Sequence, residues 1–428
     1  MRILILGGGG REHALAWACL RDRDDVELIC APGNAGTAEL ADNVALDVTD
    51  TDRIAGLAVE RAVDLVVIGP DASAAAGVAD ACHAAGIAVF GPTAAAARIE
   101  SSKTFAKTLM EVAGIPTARW MSGGAGERTQ LRSFIAQLDG WCVVKADGLA
   151  LGKGVTVCDS VDTAERALAG CLDERLFGEA GSTVIVEERL EGTELSAFGL
   201  SDGRRVRGLA PARDHKRALD GDRGPNTGGM GAVAPAPDVD ADGIVRDAVH
   251  TVLQPCVDAL AAFGSPFVGC LYAGLMLTPA GISVLEFNAR FGDPEAQVVL
   301  PLLDEPLVEL LTACVDGRLD AGIARRGPGA AVGVVAAAEG YPGAVRTGDV
   351  IDGVDSLSDG VLCFHAGTRS DNGTLRTSGG RVLCVVGLGS DHTAARRRAY
   401  ANIARIRFRG IQYRSDIAEE TRTPDTVH

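Results

Sequence analysis

The chain has 428 residues, of which 47% are apolar and 23% charged, and a formal net charge of −16. This length exceeds a single hydrophobic core and fits roughly three domains. The acidic balance argues against nucleic acid as the main partner, and the lack of any run of ~18 apolar residues argues against a helical membrane span. The eleven cysteines are scattered, with no CxxC spacing and no Cys/His cluster, which argues against a zinc site and fits reduced thiols in a cytoplasm. The first residues, Met1-Arg-Ile-Leu-Ile-Leu-Gly7, run from a short apolar stretch into glycines and lack the longer core of a signal peptide.

In the first hundred residues, apolar runs at 2–6, 26–31, 64–68 and 87–90 alternate with helical patterns at 11–20, 51–62 and 77–85. This β-α-β alternation predicts a doubly wound parallel sheet, whose ligands bind at the carboxyl ends of the strands. Those ends are Gly7-Gly-Gly-Gly10, Pro32-Gly-Asn-Ala-Gly-Thr37 and Gly69-Pro-Asp71. A nicotinamide cofactor is not favoured. In the GxGxxG register from Gly7 the last position is Glu12, from Gly8 it is His13, and no acid follows the second strand. Glycines at a helix N-terminus suit a phosphate, or simply a tight turn.

Residues 100–110 predict a helix capped by Ser101 or Ser102, with Lys103 in its first turn. Residues 141–157 read as strand, glycine-rich loop and strand. Gly148 and Gly152 are too close for a Walker A loop, and Lys153 is followed by Gly154 instead of Ser or Thr, so a hairpin folding over phosphates is expected, with Lys145 on its first strand as a point charge. The stretch 182–196 reads as strand, connection and strand, with Glu187, Glu188 and Glu194 as acids beside it. Residues 212–231 form a long polar stretch, with five glycines between 221 and 231, read as an ordered substrate loop. There Asp214 is placed to hold an ammonium, and Lys216 and Arg217 a carboxylate or phosphate.

A helix is expected over 248–263 and a buried strand over 269–278. Val284-Leu-Glu-Phe-Asn-Ala-Arg-Phe-Gly-Asp-Pro-Glu295 is the organising stretch. Glu286 and Asn288 share one strand parity and offer a carboxylate and an amide oxygen to a hard cation. Arg290 continues that parity as an anion clamp, and Asp293 is expected to cap a helix starting at Pro294. A helix follows over 305–315 and a boundary over 318–330. Strands at 332–338, 361–366, 382–387 and 407–408 and a helix at 393–404 predict a small α+β domain. Its Gly379-Gly-Arg381 offers a glycine-lined cation that could touch a phosphate, but reads first as a structural turn.

These motifs, in this order, resemble the phosphoribosylamine–glycine ligase family of the ATP-grasp superfamily, almost end to end. The resemblance rests on the first glycines with Arg11-Glu-His-Ala14, the 145–154 loop and the runs 214–217 and 224–231. It extends to Glu286–Glu295 and Ala366-Gly-Thr368. It implies an N-terminal doubly wound domain over 1–101, a two-part ATP-grasp over 102–325 with a smaller lid at about 122–190, and a small C-terminal α+β domain over 326–428. The implied reaction joins glycine to 5-phosphoribosylamine with ATP through a glycyl phosphate. By the same resemblance Lys103, Lys145, Gly148, Gly152, Lys153 and Gly154 hold ATP phosphates, and Glu187, Glu188, Leu190 and Glu194 hold adenosine. Glu286 and Asn288 take Mg²⁺ (or Mn²⁺). Asp214, Arg290 and Lys145 carry the catalysis. Gly9, Gly10, Arg11, Asn34, Gly36 and Thr37 take phosphoribosylamine, with Lys216 and Asn226 completing the substrate site. A monomer acting on small molecules in the cytoplasm is expected. Where the family commonly has Gly-Pro-Glu followed by Pro-Leu, this chain has Gly69-Pro-Asp-Ala-Ser73, and the strand 269–277 carries no second metal carboxylate. Competing readings are another ATP-grasp carboxylate–amine ligase, a nicotinamide oxidoreductase and a non-catalytic nucleotide-binding module.

Overall fold

The computed structural model describes residues 1–148 and 154–419. The N-terminal sheet is parallel, with strands in the order Asp42–Asn43, Glu27–Pro32, Arg2–Gly7, Leu65–Ile68 and Ala88–Phe90. Its central strand has no polar face. Ile3 and Ile5 pack into one apolar cluster and Leu4 and Leu6 into another on the opposite side. Burial on both faces is what a doubly wound sheet requires of its middle strand. The helix Gly10–Arg21 follows the first strand after two residues. Gly8 fits there because a Cβ would lie 2.5 Å from the Gly33 carbonyl oxygen, so the first two strand ends can approach closely.

Ser102 separates two helices, Ala94–Ser101 and Lys103–Ala113. Its hydroxyl accepts from the Phe105 N–H, which satisfies an end that would otherwise lack a partner. A four-stranded antiparallel sheet follows, ordered Trp120–Gly123, Val184–Glu188, Cys142–Ala146 and Val155–Val157. The helices Arg128–Gln137 and Val161–Leu172 cover it with their own core around Leu131, Ile135, Val144 and Leu168. The central sheet is ordered Gly281–Asn288, Val268–Thr278, Thr193–Asp202, Val206–Gly208 and Gly322–Ile323. A third five-stranded sheet is ordered Arg213–Asp214, Gly231–Ala234, Ala330–Ala337, Arg381–Gly389 and Val361–His365, with the helix His392–Ile403 packed on it.

Several expectations change in detail. Residues 212–231 are not a bare loop. Gly231–Ala234 is buried and pairs with Ala330–Ala337, and Arg217–Leu219 forms a hairpin with Arg223–Asn226. The small apolar run Gly231-Ala-Val-Ala234 permits that insertion. The helix expected from 248 begins at Ala241 and passes through a π turn at Val249–Leu253. Arg407 makes only an isolated bridge to Asp352, while a hairpin forms between Thr368–Asp371 and Thr374–Thr377. Asp293 caps no helix. The Asp293–Pro294 peptide is cis, the helix is Ala296–Val299, and the Asp293 carboxylate accepts from Gln297 Nε2 (2.7 Å) and pairs with Arg381 (3.0 Å). A guanidinium and an amide have taken the carboxylate that backbone N–H groups were expected to hold.

Candidate active site

The edge strand of the central sheet supplies the centre of the site. Gly281–Asn288 pairs with Val268–Thr278, but its register shifts so that Glu286 faces Gly274 while Val284 faces Leu275. Leu285 is therefore an extra residue, and such a bulge re-aims the side chains beside it. The Leu285 carbonyl accepts from Lys145 Nζ at 3.1 Å. Burial raises the affinity of Glu286 for a proton, but the cations Lys216, Lys145, Lys103 and Arg290 outweigh it and hold the carboxyl below its ordinary range. Among the described residues no hydrogen bond or ion pair engages that carboxylate. Asn288 Oδ1 accepts from Arg290 at 2.8 Å and keeps a second lone pair. Arg290 also pairs with the buried Glu100 at 2.8 Å, and Glu100 accepts the Ala289 N–H at 2.8 Å. Two protein oxygens suit a hard divalent cation that takes its remaining ligands from phosphates and water. Among the described residues no group of three or more His, Cys, Asp or Glu could enclose a metal alone.

The lysines lie against this strand. Glu187 is 3% exposed and pairs with Lys145 at 3.0 Å and Lys107 at 3.1 Å. Lys107 also donates to Thr117 Oγ1 (2.6 Å), which donates to the Val284 carbonyl (2.7 Å). Burial pulls the Lys107 ammonium down to about 8 despite Glu187, and burial lowers Lys103 as well. Lys103 Nζ donates to the Gly148 carbonyl at 3.2 Å. Asp147 fixes the same loop to the helix start, accepting the Thr104 N–H at 2.7 Å. Gly148 abuts Ala180, where a Cβ would come within 2.7 Å of the alanine methyl. Gly154 follows at the start of the return strand, its carbonyl accepting from Ala146 at 2.8 Å. Gly152 and Lys153 lie outside the described residues. Glu188 pairs with Arg119 at 2.8 Å, and Leu190 sits in the connection leading to the strand Thr193–Asp202.

The third wall comes from the polar stretch. Lys216 pairs with Glu194 at 3.2 Å. Asp214 Oδ1 is enclosed without a hydrogen-bond partner, and burial first, then the neighbouring Glu295 charge, raises its carboxyl well above the ordinary range. Gly229 (φ +109°) passes beside it, and a Cβ there would lie 2.8 Å from Asp214 Oδ1 and clash with Pro294. Glu295 Oε1 accepts from Ser196 Oγ, and Ser196 Oγ meets the Tyr272 hydroxyl, both at 3.1 Å. Asn226 stands on the exposed hairpin strand Arg223–Asn226.

A cleft of about 370 Å³ opens between the first glycine loop and the last sheet, lined by Gly8, Gly9, Asn34, Gly367, Thr368 and Arg381 among others. The Asn34 side chain shapes its own loop, donating to the Gly8 and His365 carbonyls and accepting from the Gly36 and Thr37 N–H groups. Thr37 is fully buried and bonded to Asn34 and Asn43. Arg11 is held by Glu12 (2.6 Å) and the Phe291 carbonyl (3.2 Å), and a Cβ on Gly10 would meet Gln297. Sequence reasoning passed over Lys107, Glu100, Asp293 and Glu295 as site groups and treated Arg381 as part of a turn. A GGR signal marked Arg381. Nothing local marks Lys107.

Three family models for phosphoribosylglycinamide synthetase match most of the chain: the N domain over residues 1–100, the ATP-grasp (A) domain over 101–296 and the C domain over 331–420. The chain is 49% identical over 423 residues to a phosphoribosylamine–glycine ligase of Streptomyces coelicolor, covering 98% of this chain and 99% of that one. It is 45% identical over 421 residues to the human trifunctional purine biosynthetic protein adenosine-3, covering 97% of this chain and 41% of the larger protein. The crystal structure of phosphoribosylamine–glycine ligase from Thermotoga maritima superposes with a TM-score of 0.84 at 35% identity, covering 97% of this chain and 100% of that one. A biotin carboxylase domain from Hydrogenobacter thermophilus shares the fold alone, at 17% identity and a TM-score of 0.75 over 96% of this chain and 91% of that one. With its three domains matched in order and its relatives aligned end to end, the chain belongs to the phosphoribosylamine–glycine ligase (phosphoribosylglycinamide synthetase) family of ATP-grasp enzymes.

Proposed function

We propose that this chain ligates glycine to 5-phosphoribosylamine at the expense of ATP, giving glycinamide ribonucleotide, ADP and phosphate. A glycine carboxylate oxygen attacks the γ-phosphorus of ATP and ADP leaves, which turns a poor electrophile into glycyl phosphate. The amine of phosphoribosylamine then attacks the acyl carbon, loses a proton, and phosphate departs. The protein's task is positioning and charge neutralisation more than covalent chemistry. The observation that carries this reading is the convergence of Lys103, Lys145, Lys216 and Arg290 on Glu286.

In this reading Lys103 and Lys145 neutralise the ATP phosphates, and Arg290, oriented by Glu100, clamps the glycine carboxylate and then the acyl phosphate. Asp214 holds the glycine ammonium. The first glycine loop borders the cleft that takes phosphoribosylamine. Glu286 and Asn288 are the residues that would hold Mg²⁺ or Mn²⁺, which when bound supplies charge neutralisation between phosphates. The described cysteines are all free thiols, which supports work in a reducing cytoplasm. The test is phosphate release from ATP, with glycine and freshly generated phosphoribosylamine supplied singly and together. Release that needs both, with a glycine-containing nucleotide formed, is expected. Release driven by another acid or amine overturns the substrate assignment.

A further inference from the structure

The hairpin that follows Asp214 and Lys216 has almost no core of its own. Its turn and second strand are exposed, and an isolated two-stranded hairpin is marginal in water. Its turn, Asp220-Gly-Asp222, puts Gly221 (φ +68°) and also the non-glycine Asp222 (φ +50°) in the left-handed region. Such a turn persists where its surroundings fix it. Here the fixing comes from a segment almost two hundred residues later. Arg414 is 2% exposed and donates to Asp222 Oδ1 (2.7 Å) and the Arg217 carbonyl (3.1 Å), while its other edge grips Asp416 at 2.7 Å. Ser415 N–H donates to Asp220 Oδ1 at 2.8 Å, its hydroxyl bonds the other Asp220 oxygen, and the Gly221 N–H donates to Asp416 Oδ2 at 2.8 Å. Each of the three turn residues is thus held by the segment 414–416.

The base of the hairpin passes this order to the site. The Thr227 N–H and hydroxyl both donate to the Lys216 carbonyl (2.8 and 2.9 Å), and His215 exchanges backbone bonds with Met230 and Gly231. Asp214 pairs with Ala232 in the same ladder. A buried bidentate guanidinium is a rigid connector, because its planar fork fixes both partners at once. We propose that Arg414 is a positioning residue: together with Ser415 and Asp416 it latches the 217–226 hairpin to the C-terminal domain and so sets the register of Asp214 and Lys216 toward glycine. The inference about glycine rests on the function proposed above. The latch itself does not.

The test uses the full chain with Arg414→Ala, Arg414→Lys and, since Asp222 is largely exposed, the milder Asp222→Asn. Amide hydrogen exchange without substrates reports the latch directly. Faster exchange over 217–227 is expected in Arg414→Ala, with partial protection kept in Arg414→Lys and Asp222→Asn. Steady-state kinetics report the link. A rise of tenfold or more in the KM for glycine, with the KM for ATP within about twofold, is expected for Arg414→Ala, and a smaller rise for the other two. Unchanged exchange in all three variants overturns the latch. Lost protection with an unchanged glycine KM overturns the positioning role while leaving the ligase reading intact. If Arg414→Ala does not fold, the two milder variants decide by the same criteria. A wild-type chain inactive toward glycine overturns the assigned substrate, and the exchange data still judge the latch.

Discussion

Asp214→Asn should stabilise the free protein and cripple its use of glycine. In the wild type, Asp214 Oδ1 is enclosed without a hydrogen-bond partner and Glu295 lies close enough to disfavour a second negative charge. A neutral amide of the same shape removes that charge. The expected gain is about 0.5–2 kcal/mol, the usual range for a single stabilising substitution. Its pH dependence follows from the raised carboxyl. Between the ordinary value of 3.8 and the folded-state value, the native protein binds more protons at this site than the unfolded chain. Wild-type stability therefore falls as pH rises through that window and the deficit stays constant above it. The melting temperature of the variant should accordingly pull ahead of the wild type between acidic and neutral pH, and added glycine should narrow the gap by supplying an ammonium. A charge-assisted hydrogen bond contributes about 1.5–3 kcal/mol. At about 1.4 kcal/mol per decade, its loss raises the glycine KM about 10- to 140-fold. The KM for ATP should stay within about twofold. The assays are differential scanning fluorimetry from pH 5 to 8, with and without glycine, and ADP release at varied glycine. A destabilised variant whose KM values for glycine and ATP rise together would refute the reasoning and remove Asp214 from the glycine site.

Glu286→Ala should abolish Mg²⁺-dependent ADP formation and weaken Mn²⁺ binding read by electron paramagnetic resonance, with the circular dichroism spectrum unchanged. Unaltered turnover would remove Glu286 from the metal site. Glu187→Gln leaves two buried lysines facing one neutral group, so denaturant unfolding should show a loss of about 3–5 kcal/mol, together with a raised KM for ATP. A loss under 1 kcal/mol would mean that water compensates Lys107 and Lys145. Burial holds His13 at about 3, helped by His365, and holds His365 at about 4, both below the ordinary 6.5. The unfolded chain takes up those protons first, so the stability these neutral rings supply is complete above pH 6.5 and is lost as pH falls toward 4 and then 3. The His365 N–H donates to His13 Nδ1 at 2.8 Å, a bond that protonation of that nitrogen breaks. A His13→Gln variant should flatten the melting-temperature profile between pH 6.5 and 4, and an unchanged slope would contradict this origin.

The features legible in the sequence were those that a few neighbouring residues decide. Alternation placed Glu286 and Asn288 on one parity of the strand that ends at Asn288, and a cap at Ser101 or Ser102 followed from a hydroxyl before a helical run, the role that Ser102 takes. The N-terminal sheet followed from apolar runs broken by glycines. What escaped was decided by partners far away in the chain. Lys107 is marked by nothing in its own helix, and only the fold brings Glu187, eighty residues later, beside it. Asp293 reads as a cap because Arg381 is invisible from its neighbours. The bulge at Leu285 leaves no local mark, since the extra residue shows only against the opposite strand. Arg414 reads as one of many arginines near the end, and only the fold brings Asp220 and Asp222 to it.

Those distant partners share a pattern that bears on how an acidic chain handles a polyanion. Most of the site's cations already hold an acid: Lys145 and Lys107 hold Glu187, Lys216 holds Glu194, Arg290 holds Glu100 and Arg381 holds Asp293. Burial works against the charge on these cations, as the lowered Lys103 and Lys107 show, and the paired acids offset it. Paired, they remain charged and fixed in direction before any substrate arrives, so little reorganisation is required when charge shifts between phosphate and acyl oxygen. Glu286 departs from the pattern. Cations surround it, yet among the described residues it forms no ion pair of its own, which leaves its oxygens available to a divalent ion. The acids beside the lysines would repel uncomplexed ATP, whereas a divalent cation carried on ATP would bring positive charge to Glu286, a carboxylate with no ion pair among the described residues. The proposed assignment of Glu286 to the metal therefore predicts a preference for the metal–nucleotide complex over the free nucleotide, set by the placement of paired and unpaired carboxylates.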